Sequence, residues 1–246
     1  MLASTGENQR STVTLILVGA LTMMHGSNSA ATLSEGASAA SIVYVVDDDE
    51  SIRVSVHSLL RSVGLRAEKF GSSEEFLAFP KPDLPSCLIL DVRLRGESGL
   101  AVQQKIAKSD LRMPILFMTA HGDIEMTVKA MKAGALDFFS KPFRDQDMLD
   151  AVANALARDA ERIETERSMS GLRACYESLT AREREIMGHV VTGLMNKQIA
   201  SEVKLSEITV KIHRGQAMKK MAARSVADLV RKAEALGLGP GNLDNR

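Results

Sequence analysis

Five polar residues stand where short apolar runs stop. Asp47 and Asp48 follow Ile42-Val43-Tyr44-Val45-Val46, and Asp91 follows Cys87-Leu88-Ile89-Leu90. Thr119 follows Ile115-Leu116-Phe117-Met118, and Lys141 follows the shorter run Asp137 to Ser140. Runs of this kind, short and rich in β-branched residues, read as buried parallel strands. One carboxylate after one strand is loop decoration. Three carboxylates, a hydroxyl and an ammonium converging from four strand ends make a candidate site, because ligands of open α/β sheets bind at the carboxyl edge of the strands.

The intervening segments are helical. Ile52, Val56, Leu59, Leu60 and Val63 share one face and Gly64 closes that helix. Leu65 to Phe70 reads as a strand, and Ser72-Ser73-Glu74-Glu75 has the spacing of a capping box. Further helices are expected from Ser98 to Lys108, from Asp123 to Ala133 before Gly134, and from about Arg144 onward. Five strands alternating with five helices predict a doubly wound, five-stranded parallel sheet of flavodoxin-like type.

Residues 41–157 resemble the receiver domain of two-component response regulators. The resemblance rests on Asp47-Asp48, on Asp91 within Leu-Ile-Leu-Asp-Val-Arg-Leu, on Thr119-Ala120 and on Lys141-Pro142-Phe143. It implies that Asp91 accepts a phosphoryl group from a sensor histidine kinase. It also implies Mg²⁺ held by Asp48, Asp91 and the backbone carbonyl of Arg93, with Asp47 acting through water. Lys141 and Thr119 would contact the phosphoryl oxygens, and Thr119 with Phe138 would form the switch. The chemistry is coherent: an anion attacking an anion needs a cation, and Mg²⁺ prefers oxygen ligands. The family often has proline four residues after the acceptor; here Arg95 stands there. A phosphatase using strand-end aspartates would need a second Asp shortly after the nucleophile, where this chain has Arg93 and Leu94. No substrate turnover is therefore expected.

Charge is segregated. The chain carries 31 basic and 31 acidic residues overall, yet Leu179 to Leu238 holds 11 basic against 6 acidic ones. A basic segment on a neutral chain suits a polyanion, although a solvated helical surface reads the same. Thr180-Ala181-Arg182-Glu183 is a capping-box match; Asn196 is placed as the cap of a short helix from Lys197 to Val203; Ser206 caps a longer one reaching Met221. Two helices joined by a tight turn make a helix-turn-helix. Leu-Thr-Ala-Arg-Glu-Arg-Glu-Ile, Asn-Lys-Gln-Ile-Ala and Thr-Val-Lys-Ile-His-Arg resemble the LuxR/FixJ-type DNA-binding domain, and the whole chain resembles FixJ-type regulators.

That resemblance implies binding of double-stranded DNA through the major groove by the helix from Ser206 to Met221. Thr209, Lys211, Ile212 and Arg214 are the candidates there, with Lys197, Lys219 and Lys220 suited to phosphates. Gly215 brings no base-reading side chain. A homodimer formed on phosphorylation is expected, and RNA polymerase is a further candidate partner.

Composition excludes little: 45% hydrophobic, 25% charged, only 4% aromatic, with no tryptophan. Residues 158–177 are read as a helical linker with its flexible point near Ser168-Met169-Ser170-Gly171, 178–238 as the DNA-binding domain and 239–246 as a tail. Residues 1–40 read as an N-terminal extension, disordered or misassigned, with the real start near Met23 or Met24. Their apolar run, Val13 to Met24, is short for a bilayer span; with Arg10 before it and Ser29-Ala30-Ala31 after it the segment resembles a secretory signal peptide, but its one Arg and one Glu and the cytosolic chemistry of the rest of the chain favour no membrane association and a cytoplasmic location. Cys87 and Cys175 lie far apart, outside any ligand pattern, and fit a reduced protein. His25, His57, His121, His189 and His213 lack metal-ligand spacing, and Met126, Met131, Met187 and Met221 read as core filler.

Overall fold

The computed structural model describes residues 41–109, 111–120 and 124–239. The N-terminal extension, His25, His121, the helix start at Asp123 and residues 240–246 lie outside them. Five strands alternate with helices among the described residues: β1 (Ile42–Val46), α1 (Glu50–Ser62), β2 (Arg66–Phe70), α2 (Ser73–Ala78), β3 (Ser86–Asp91), α3 (Gly99–Ala107), β4 (Ile115–Thr119), α4 (Ile124–Lys132), β5 (Asp137–Ser140) and α5 (Asp145–Glu177). All strand pairs are parallel, in the order β2-β1-β3-β4-β5.

Every residue of β1, β3 and β4 is buried, which is why these strands read as unbroken apolar runs. Alternation divides them between two cores. Ile42, Tyr44, Val46, Leu88, Leu90 and Phe117 face Phe76, Val102, Ile106 and Ala130 from α2, α3 and α4. Val43, Val45, Cys87, Ile89, Leu116 and Met118 face Val56 and Leu60 of α1 and Met148, Val152 and Ala155 of α5. Gly99 opens α3 at the end of β3. A Cβ there would come within 2.3 Å of the Asp91 carbonyl oxygen, so glycine is needed for the helix to abut the strand end.

The helix α5 runs unbroken for 33 residues. Ser168 to Gly171, where the connector was expected to be flexible, are helical, and Gly171 carries the largest propensity cost among them, about 1 kcal/mol. Polar contacts fasten the helix to the N-terminal edge of the sheet. Asp159, whose side chain is wholly buried, accepts the Ser86 N–H at 2.8 Å and the Arg162 Nε–H at 2.9 Å. Farther along, Arg167 pairs with Asp83 at 2.7 Å. The last turns of α5 then contribute Leu172, Cys175 and Tyr176 to a separate C-terminal core.

That core is built from α6 (Ala181–Val191), α7 (Asn196–Glu202), α8 (Glu207–Lys220) and α9 (Val226–Ala235). Ile186, Met187, Val190, Ile199, Val210, Ala217 and Leu229 fill it. The capping box at Thr180 is complete: Glu183 N–H donates to Thr180 Oγ1 (3.2 Å) and Thr180 N–H to Glu183 Oε2 (2.8 Å). At α2 the match is half made, since Ser72 caps Glu75 N–H but Glu75 turns to the Gly71 N–H. Asn196 is inside α7 rather than its cap; Gln198 instead reaches the Met195 N–H. Met126, Met187 and Met221 pack into cores as expected, whereas Met131 is exposed on α4.

Candidate functional site

The three consecutive aspartates after β1 divide their work. Asp49 is the cap of α1, accepting the Ser51 N–H at 2.8 Å and the Ser51 hydroxyl at 2.6 Å. Asp47 is fully buried and turns back under the sheet edge, where its Oδ1 accepts the Asp49 N–H at 2.8 Å. Asp48 points into an open cleft shared with Asp91, Arg93, Arg95, Ala120 and Lys141.

Lys141 reaches this cleft from the end of β5. Its backbone N–H is held by the Thr119 carbonyl at 2.7 Å, and a cis peptide joins it to Pro142. The ammonium bridges two carboxylates, 2.5 Å from Asp47 Oδ2 and 2.8 Å from Asp91 Oδ2. Burial works against this cation, but its hydrogen bonds to Asp47 and Asp91 outweigh burial and hold its pKa above the ordinary lysine value. The other oxygen of Asp91 accepts the Arg93 N–H at 3.0 Å, so the carboxylate is oriented from both sides. Thr119 is buried at the end of β4, beside Ala120 at the cleft wall. Phe138 lies half-buried on β5, its ring 6.4 Å from that of Phe117.

Asp47, Asp48 and Asp91 offer oxygens that all lie within 4.8 Å of one another. An all-oxygen donor set of this charge suits a hard divalent cation. The structure thus brings Asp47, Asp48, Asp91 and Lys141 together, with Thr119 buried at the neighbouring strand end. It adds one that the sequence did not single out as functional: Arg95, whose Nε lies 3.1 Å from Asp48 Oδ2.

In the C-terminal part, α7 and α8 are separated by four residues, Val203 to Ser206, with Lys204 in a left-handed turn (φ 53°). Ser206 caps α8 through the Thr209 N–H at 3.1 Å and its hydroxyl bonds that of Thr209. Lys197, Lys211, Ile212 and Lys219 are exposed, while Thr209 and Arg214 are half-buried. Arg214 donates to Asn196 Oδ1 at 2.8 Å and so ties α8 to α7. The expected phosphate role of Lys220 does not fit. Its ammonium is 2.6 Å from Glu183 Oε2 and also bonds the Ser178 carbonyl. Ile208 was overlooked. It is 73% exposed, and Ile212, one turn on, is 58% exposed. With Gly215 and Lys219 at the next two steps they form one open face of α8; the four-residue spacing alone would have revealed it.

Among the described residues no helix is long and apolar enough to cross a membrane. Residues 43–153 match the response regulator receiver domain model, and residues 177–233 match that of the bacterial regulatory proteins of the luxR family. The chain is 54% identical over 208 residues to Nodulation protein W of Bradyrhizobium diazoefficiens, covering 85% of this chain and 92% of that one. It is 37% identical over 198 residues to the transcriptional regulatory protein FixJ of Rhizobium meliloti, covering 80% and 97%. The solved structure of the response regulator StyR aligns with a TM-score of 0.74 at 44% identity, covering 79% of this chain and 98% of that one.

Proposed function

The chain belongs to the two-component response regulators that join a receiver domain to a LuxR-family DNA-binding domain, and is a transcriptional regulator; from this premise we propose that Asp91 is its phosphoacceptor. The observation that carries the proposal is the Lys141 ammonium bridging Asp47 and Asp91 at the carboxyl edge of the sheet. An Asp91 oxygen attacks the phosphorus of a phosphohistidine on a sensor kinase. The new O–P bond forms as the P–N bond breaks, and the electron pair leaves with the imidazole. Asp91 is already held by the Arg93 N–H, which limits its reorientation. Lys141 pairs with the developing phosphoryl charge, and Thr119 supplies a hydroxyl to it.

Asp48, Asp91 and the Arg93 carbonyl would hold Mg²⁺, with Asp47 acting through water. Bound there, the ion would neutralise charge between carboxylate and phosphoryl group. Labelling with acetyl phosphate and Mg²⁺ tests the acceptor. Asp91→Asn has no carboxylate nucleophile and is expected to take up no label; an Asn variant labelled as fully as the wild type overturns the assignment.

Phosphorylation would draw Thr119 toward the new group and repack the face around Phe138, favouring a homodimer. An apolar stripe on α4 supports this reading: Ile124, Val128 and Met131 recur at helical spacing and are all exposed. The paired domains would then present α8 to two half-sites in the major groove, where RNA polymerase is a candidate partner.

A further inference from the structure

We propose that Arg95 is a tethered cation that competes with the divalent metal ion for Asp48, and so sets how tightly the acidic cluster takes up its ion. This rests on the metal reading of the cluster and adds a role for a loop side chain outside it.

Three features of the loop after β3 point this way. First, Arg93 and Ser98 pair as an isolated antiparallel bridge, which closes Leu94 to Glu97 into a tight turn. Gly96 takes the left-handed conformation (φ 91°) that the turn requires. Second, the far side of the turn is pinned. Glu97 accepts from Lys105 at 2.6 Å and from the Ser73 hydroxyl. Third, the side chain at the exposed tip, Arg95, reaches back over the cleft to Asp48 Oδ2 at 3.1 Å.

The two cations paired with the cluster's carboxylates differ in how readily they leave. Lys141 is 12% exposed and holds two carboxylates, so it is built in. The Arg95 side chain is 87% exposed, while that of Asp48 is 25% exposed. Its guanidinium can return to water with little desolvation to reverse, whereas an ion taking Asp48 Oδ2 as a ligand must displace it. Exposed ion pairs contribute about 0.2–1 kcal/mol, and a competitor of that strength lowers affinity up to about fivefold.

The test is Mn²⁺ binding to the full chain, read by electron paramagnetic resonance, with Mg²⁺ measured by competition. Arg95→Ala is expected to bind both ions about two- to fivefold more tightly than the wild type. The gap is expected to close at about 1 M salt, where the screening length is roughly 3 Å. Arg93→Gln removes the same charge from the same loop, but makes no ion pair with Asp48, and is expected to gain less. Equal affinity in wild type and Arg95→Ala, or equal gains in both variants, overturns the competitor role. A wild-type chain that binds neither ion overturns the metal reading itself, and the competitor role with it.

Discussion

Asp159 is a buried carboxylate just under one helical turn beyond Leu156, the last buried apolar residue that α5 gives to the sheet core, and its removal has a calculable cost. Asp159→Ala strips the Ser86 N–H of its acceptor at 2.8 Å. A buried donor left unmatched costs about 1–3 kcal/mol. The second partner, Arg162, adds little. It is one third exposed and keeps Glu166 at 2.7 Å, so its loss is worth about 0–1 kcal/mol. Alanine's higher helix propensity returns about 0.5 kcal/mol. The expected net loss is about 1–3 kcal/mol. Asp159→Asn keeps a carbonyl acceptor for Ser86 and is expected to lose only about 1 kcal/mol. Urea unfolding of the full chain by circular dichroism measures both, and amide exchange along β3 reports the sheet directly. There the Ala variant is expected to exchange roughly 5- to 150-fold faster. An Ala variant within about 0.5 kcal/mol of wild type, or an Asn variant as damaged as Ala, refutes the assignment of the energy to the Ser86 hydrogen bond.

Substitutions on α8 separate its two exposed lysines. Lys211→Ala is expected to cost about 1–3 kcal/mol on the true operator and much less on random DNA, while Lys219→Ala weakens both alike and reduces the salt slope by about one unit. Equal losses on both duplexes for Lys211→Ala would move base reading to Ile208 or Ile212. A phosphoryl mimic is expected to raise the sedimenting mass of the chain and its affinity for DNA, and no change in either removes the dimer from the proposal. Burial pushes the Tyr44 hydroxyl up to about 12, and that hydroxyl has no hydrogen-bond partner among the described residues. Below pH 10 tyrosine is protonated in folded and unfolded chains alike. Between 10 and about 12 only the unfolded chain ionises, so stability falls with rising pH. Tyr44→Phe is expected to abolish this component and to leave neutral-pH stability unchanged or raised by about 1 kcal/mol, which urea titrations at both pH values check.

What the sequence made legible was short-range. Buried parallel strands announce themselves as apolar runs, so the positions of Asp47, Asp48, Asp91, Thr119 and Lys141 at strand ends could be read directly. The cap at Thr180 needs partners only three residues apart and was legible for the same reason. Pairings across long separations were not. Asp48 with Arg95, Asp159 with Ser86 and Lys220 with Glu183 bring together residues 37 to 73 positions apart. No local pattern encodes them. Gly171 reads as a weak point because small and polar residues commonly break helices, yet α5 runs through it, with packing on both sides offsetting a propensity cost of about 1 kcal/mol.

A helix shared by two cores also acts as a protractor. Met148 to Leu156 are fixed in one core and Leu172 to Tyr176 in the other, and nothing between them interrupts the 33-residue helix. The angular phase of the DNA-reading surface about the helix axis is therefore a function of residue count. One residue inserted after Arg167 would turn everything beyond it by about 100° and advance it about 1.5 Å. Seven would restore the phase to within about 20° while lengthening the spacer by roughly 10 Å. Changes in connector length are thus quantised: those near a whole number of turns preserve the direction in which the LuxR-family domain faces, and single-residue changes turn it.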